Sequence, residues 1–162
     1  MTTDSNIAPG GEHQARESIR RLLSLYCDSV ARRDADAVGL LFTEDARVRI
    51  AGGAERIGRS AIVEGLRGTI SQFGFLHQKC DTGLIDVAGD TARSRIGVME
   101  MNQASGASEF NMIFGVYEDE YRLTGEGWRF ARRDFTFQYR AILPAAETRH
   151  FQEFRPAYPF AP

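Results

Sequence analysis

The chain has 162 residues, 43% hydrophobic and 26% charged, with a net charge of −2. That length supports one domain with a core and a pocket, and the near-neutral charge offers no field for nucleic acid. No basic-then-apolar leader and no run long enough to span a membrane are present, so the cytoplasm is the expected location.

Residues 1–11 are polar with Pro and Gly and are expected to form a disordered lead-in. Ile19, Leu22, Leu23, Tyr26 and Val30 then recur at three- and four-residue steps, which predicts a helix with one apolar stripe, ending near Arg32 and Arg33. A short second helix is expected across Ala35–Phe42, capped by Asp34 or Asp36. Ala46–Ile50 alternates and predicts a strand, followed by a turn at Gly52 and Gly53. Ser60 is the expected cap of a third helix carrying Ile62, Val63, Leu66, Ile70 and Phe73. Strands are predicted at Phe75–Cys80, Leu84–Val87, Ala92–Met101, Phe110–Arg122 and Trp128–Tyr139, with turns at Ala88-Gly89-Asp90 and 124–127. Three helices followed by a long meander imply an α+β domain over residues 12–143. Residues 144–162 hold Phe151, Phe154, Tyr158 and Phe160 among four prolines, a composition suited to covering a pocket mouth or a subunit contact. Cys27 and Cys80 lack metal-ligand spacing, and Cys27 falls on the first helix as a small core residue.

Strand alternation selects candidate lining residues. If His77 faces inward, so does Phe75. On the following strands one face carries Ser94, Ile96, Val98 and Glu100, the next Asn111, Ile113, Gly115 and Tyr117, and the last Arg133, Phe135 and Phe137. Bulky apolar groups with one or two polar ones per face make the lining of a small-molecule pocket. The opposite faces, such as Arg93 and Arg95 with Met99, suit surface or subunit contact.

The order of these pieces resembles the SnoaL-like branch of the NTF2-like superfamily. The resemblance rests on Ile19-x-x-Leu22-x-x-x-Tyr26, Asp34, 41–46 (LFTEDA), His77-x-x-x-Asp81, 85–92 (IDVAGDTA), 117–121 (YEDEY) and 127–133 (GWRFARR). It implies a cone: three N-terminal helices packed on a highly curved, mostly antiparallel sheet that encloses a pocket. Within the superfamily the chain is most similar to scytalone dehydratase-like, bile-acid dehydratase-like and hexachlorocyclohexane dehydrochlorinase-like lyases. Asp34, His77 and Arg133 stand where those enzymes carry an aspartate, a histidine and an arginine. Asp81 and Ser29 depart from residues that some relatives carry.

A histidine in a strand with a carboxylate to orient it is a proton-transfer base near neutral pH. The expected chemistry is therefore acid–base: His77 as base, Asp34 fixing its tautomer, Arg133 stabilising a developing oxyanion, and Glu100 as a general acid if apolar neighbours raise its pKa. Tyr26 and Tyr117 would donate hydrogen bonds to substrate. The expectation is a lyase or isomerase without metal or other cofactor, acting on a hydrophobic cyclic molecule and assembled as a homo-oligomer, dimer or trimer. The alternative is a non-catalytic ligand-binding protein or a dioxygenase-associated small subunit.

Overall fold

The computed structural model of the chain describes residues 9–145. The lead-in expected to be disordered spans residues 1–11, of which 9–11 instead belong to the first helix; residues 1–8, and the aromatic tail expected over 144–162 apart from Pro144 in the last strand and Ala145, lie outside the described residues. Helix α1 (Pro9–Ala31) buries the predicted stripe: Ile19, Leu22, Leu23, Tyr26 and Val30 are all nearly inaccessible. Each such side chain contributes about 1.5–3 kcal/mol on leaving water. Arg33 ends the helix in the left-handed conformation, with φ of 59°, and its guanidinium donates 2.7 Å to the Phe73 carbonyl. Helix α2 (Ala35–Gly39) is shorter than expected, because Phe42 opens strand β1 (Phe42–Ile50) instead. A two-residue strand, β2 (Arg56–Ile57), pairs with β1 and was not expected.

Helix α3 (Arg59–Ile70) is capped by Gly58 and not by Ser60. Gly58 has φ of 90°, a conformation that side chains resist, and the chain enters the helix two residues before the expected start. Phe73 opens β3 (Phe73–Cys80) and does not extend α3. Strands β4 (Leu84–Ala88), β5 (Thr91–Ala104), β6 (Glu109–Thr124) and β7 (Gly127–Pro144) complete the meander. The last three run past their predicted ends.

The sheet has the order β2-β1-β7-β6-β5-β3, with β4 pairing the N-terminal half of the β5 edge that β3 pairs further along. Among the described strands, only β1 and β7 run parallel. This is an α+β fold with N-terminal helices on a large curved sheet that does not close into a barrel. Four register shifts, at Phe42/Arg47, Phe73/Phe75, Phe114/Gly115 and Glu120/Tyr121, insert residues on one side of a pair and bend the sheet. At Gly115 the bend brings backbone against Phe135: a Cβ there would meet ring Cε2 at 2.4 Å. No described helix is long and apolar enough to cross a membrane.

Candidate functional site

The concave side of the sheet, closed by the helices, surrounds a cavity of about 450 Å³. Its apolar wall includes Val30, Val38, Ile62, Leu66 and Ile70 from the helices and Phe42 from the start of β1. Phe73, Leu76, Ile113, Phe135 and Phe137 continue it on the sheet. At one side lies a connected set of polar groups. Glu100 Oε2 accepts from Gln78 Nε2 and Oε1 accepts from Asn102 Nδ2, each at 2.5 Å. Asn111 Nδ2 donates 2.9 Å to Asn102 Oδ1, and Arg140 donates to Asn111 Oδ1 at 2.7 and 2.9 Å. The Tyr117 hydroxyl reaches Gln78 Oε1 at 3.4 Å. Glu100 is the one carboxylate among the described residues lining this cavity.

Cross-strand register explains the gathering. Gln78 sits opposite Glu100, which sits opposite Ile113, and Asn102 sits opposite Asn111. Directly opposed residues share a face, so four polar side chains from three strands converge on one patch.

Beneath the patch lies a buried charge pair. Arg133 Nε and Nη2 donate to the two carboxylate oxygens of Asp119 at 2.8 and 2.7 Å, and neither side chain is accessible. The guanidinium carbon lies 4.2, 3.9 and 4.1 Å from the ring centres of Tyr26, Tyr117 and Phe130, close enough for cation–π attraction. Burial opposes the charge on Arg133, but Asp119 overcomes it and holds the guanidinium pKa well above its ordinary value. Burial pushes the Tyr26 and Tyr117 phenols up, so both keep their protons and remain hydrogen-bond donors.

Most of the expected lining residues are on the cavity wall: Tyr26, Glu100, Asn111, Ile113, Tyr117, Phe135 and Phe137. Val98 faces inward but packs within the core cluster and is not on the wall. Arg133 is brought to this side of the sheet, fully buried against Tyr26 and Tyr117.

The expected phase of β3 is reversed. His77 and Phe75 are exposed, while Leu76 and Gln78 are buried and line the cavity. His77 is paired with Met101, on the outer face, and borders a separate depression between α1 and β3. The reason is local: Leu76 takes the inward position, and the bulge at Gly74 lets Phe73 also face in, two residues before the outward Phe75. Asp34 is likewise used elsewhere. Its Oδ1 accepts the Ala37 amide at 2.9 Å as the cap of α2, and its Oδ2 accepts from Arg32 at 3.0 Å. The Asp34–His77 dyad is not assembled in this structure.

Gln78, Asn102 and Arg140 were not singled out from the sequence. Asn102 continues the Ser94-Ile96-Val98-Glu100 alternation by one step, so extending that strand would have found it. A wider depression of about 480 Å³ lies between α1 and the β4–β5 and β6–β7 turns, bordered by Arg21, Asp90, Glu126 and Arg129. It contains none of the converging polar set, and the cavity between the helices and the sheet is the better candidate site on chemical grounds.

A cone of this kind, with helices over a curved sheet and an amphipathic cavity between them, defines the NTF2-like architecture. The sequence profile of the SnoaL-like domain matches residues 11–134, and the chain belongs to that family. It is 28% identical over 134 residues to an uncharacterized protein of Mycobacterium tuberculosis, covering 80% of this chain and 90% of the relative. An NTF2-like protein with a cystatin-like fold from Novosphingobium aromaticivorans superposes with a TM-score of 0.68 at 26% identity, over 84% of this chain and 92% of that one. A protein of the same species assigned as a scytalone dehydratase gives 0.73 at 23% identity, over 80% and 86%. The hexachlorocyclohexane dehydrochlorinase of Novosphingobium barchaimii gives 0.74 at 16% identity, over 82% and 92%. The last two likenesses bear on the fold.

Proposed function

We propose that this protein is a cofactor-independent acid–base enzyme, a lyase or isomerase acting on a hydrophobic cyclic small molecule, with Glu100 as its proton-transfer group. The observation that carries this reading is the Glu100 carboxylate held by Gln78 and Asn102 in an otherwise largely apolar cavity. A carboxylate fixed by two donors, facing a space that excludes much of the solvent, is placed to take a proton from carbon beside a carbonyl or leaving group. The protonated phenols of Tyr26 and Tyr117 would donate to the oxygen on which charge develops. Arg133 would act through those phenols by lying against both rings, as a positioning residue. The dehydratase and dehydrochlorinase among the structural neighbours are consistent with elimination chemistry on this scaffold, although fold does not fix function.

The experiment is a panel of cyclic β-hydroxy ketones and ring-hydroxylated aromatics, first scored for raising the melting temperature and then for turnover by loss of water or proton exchange in D2O. Glu100→Gln should keep the fold and lose turnover by about 100-fold or more. Wild-type turnover in that variant would remove Glu100 from the mechanism.

A second reading has its own support. Asp34 is engaged as a helix cap and His77 lies on the outer face, so the residues matching the lyases' acid–base pair do not meet. That favours a ligand-binding protein without turnover. Panel members that stabilise the protein, are recovered unchanged and exchange no protons would establish it.

A further inference from the structure

Away from the cavity polar set, Cys27 on α1 and Cys80 on β3 bring their sulfurs to 3.3 Å across 53 residues of chain. Both are free thiols, half-buried, and border the depression between α1 and β3 beside Arg20, His77 and Lys79. We propose that Cys27 and Cys80 are a two-electron redox site that forms an intrachain disulfide by exchange with a low-molecular-weight disulfide.

The two sulfurs must close by about 1.2 Å to reach the ~2.05 Å of a disulfide bond. That is a small movement between a helix and the strand packed on it. The seam opens to solvent, so a small reagent can arrive. The pair is also asymmetric. The hydrogen bond between the two sulfurs holds the Cys27 pKa below its ordinary value and raises that of Cys80. Cys27 is therefore the attacking thiolate and Cys80 the resolving thiol.

The exchange balances in two steps. Cys27 Sγ attacks one sulfur of the small disulfide, breaking its S–S bond, forming a mixed disulfide and releasing one small thiolate. Cys80 then gives up its proton and attacks Cys27 Sγ, forming the Cys27–Cys80 bond and expelling the second small thiolate. The two protein thiols lose two electrons and two protons, and the reagent leaves as two thiols.

The bond would tie together two walls of the cavity. Tyr26 directly precedes Cys27, and Gln78 lies two residues before Cys80; both line the cavity. The redox state of the seam would thus set how freely α1 and β3 move at the candidate site.

The test treats the reduced full-length protein with excess oxidised glutathione, then blocks remaining thiols with iodoacetamide and maps peptides without reduction. The expected result is one species with no blocked cysteine, in which the Cys27 and Cys80 peptides are joined. Cys80→Ser should stop at a glutathione adduct on Cys27. Wild-type protein that keeps both thiols open to iodoacetamide would overturn the proposal. So would a lasting glutathione adduct without the internal bond, or a disulfide between two chains.

Discussion

Asp119→Asn is the substitution whose cost follows most directly from the geometry. Asp119 and Arg133 are both inaccessible, joined by two hydrogen bonds, and the Tyr121 hydroxyl adds a third to Asp119 at 3.0 Å. Asparagine keeps the shape but removes the charge, leaving a guanidinium with no anion to balance it in a site closed to solvent. Removing one partner of such a pair costs about 3–5 kcal/mol, because the remaining charge stays buried. In a chain of this length that lowers the melting temperature by roughly 6–20 °C. The aromatic rings around Arg133 offset only part of this, at about 0.5–2 kcal/mol per contact. Urea and thermal unfolding, followed by circular dichroism and by the fluorescence of buried Trp128, would measure it. Replacing both members, with Arg133→Met and Asp119→Leu, should recover most of the loss, since the desolvation of both ions disappears together. A cost below about 1 kcal/mol for Asp119→Asn would refute the reasoning, because only a solvated pair is so weak.

Three other outcomes follow. Burial raises the phenol pKa values of Tyr26, Tyr117 and Tyr121 above the ordinary 10.0, so the folded state keeps protons that the unfolded chain loses. The urea midpoint should therefore hold steady up to about pH 9 and fall above 10, with a shallower fall in Tyr117→Phe; equal slopes would contradict this. Gly115→Ala should destabilise by about 1–3 kcal/mol, read from the urea midpoint, because its Cβ collides with the Phe135 ring and the Thr136 carbonyl; a neutral effect would mean the sheet relaxes there freely. Self-association is expected through the outer sheet face, where Phe114 and Tyr139 pair at 6.2 Å while remaining substantially exposed. Sedimentation should show an oligomer that Tyr139→Asp weakens, and a monomer at micromolar concentration would remove this expectation.

What could be read in the sequence was whatever periodicity protects. The α1 stripe and the inward faces of β5 and β6 follow from repeated apolar positions and the turn at Gly89 from its glycine, and the structure has them. The phase of β3 was not legible, because His77, Gln78 and Lys79 are three polar residues in a row, and only Leu76 distinguishes the two faces. Bulges hid the rest. In β7 the register shift between Phe114 and Gly115 places Gln138 as an extra residue. Phe137 and Arg140, three apart, therefore both line the cavity. Simple alternation puts Arg140 on the other side. Asp34 was legible as a cap, and its candidate catalytic role came from family resemblance; the short distances to Ala37 and Arg32 favour the cap.

The proposed chemistry centres on Glu100 and its inward neighbours and does not involve His77. The most direct measurement is kcat/KM of His77→Ala beside Gln78→Leu and Glu100→Gln, on the panel compound that the wild type converts. His77→Ala should stay within about twofold of wild type, as exposed substitutions shift free energies by only ~0.5 kcal/mol. Glu100→Gln should fall by about 100-fold or more, and Gln78→Leu should fall with it, because Glu100 loses a donor. The reverse pattern, with His77→Ala inactive and Gln78→Leu unaffected, would contradict the account.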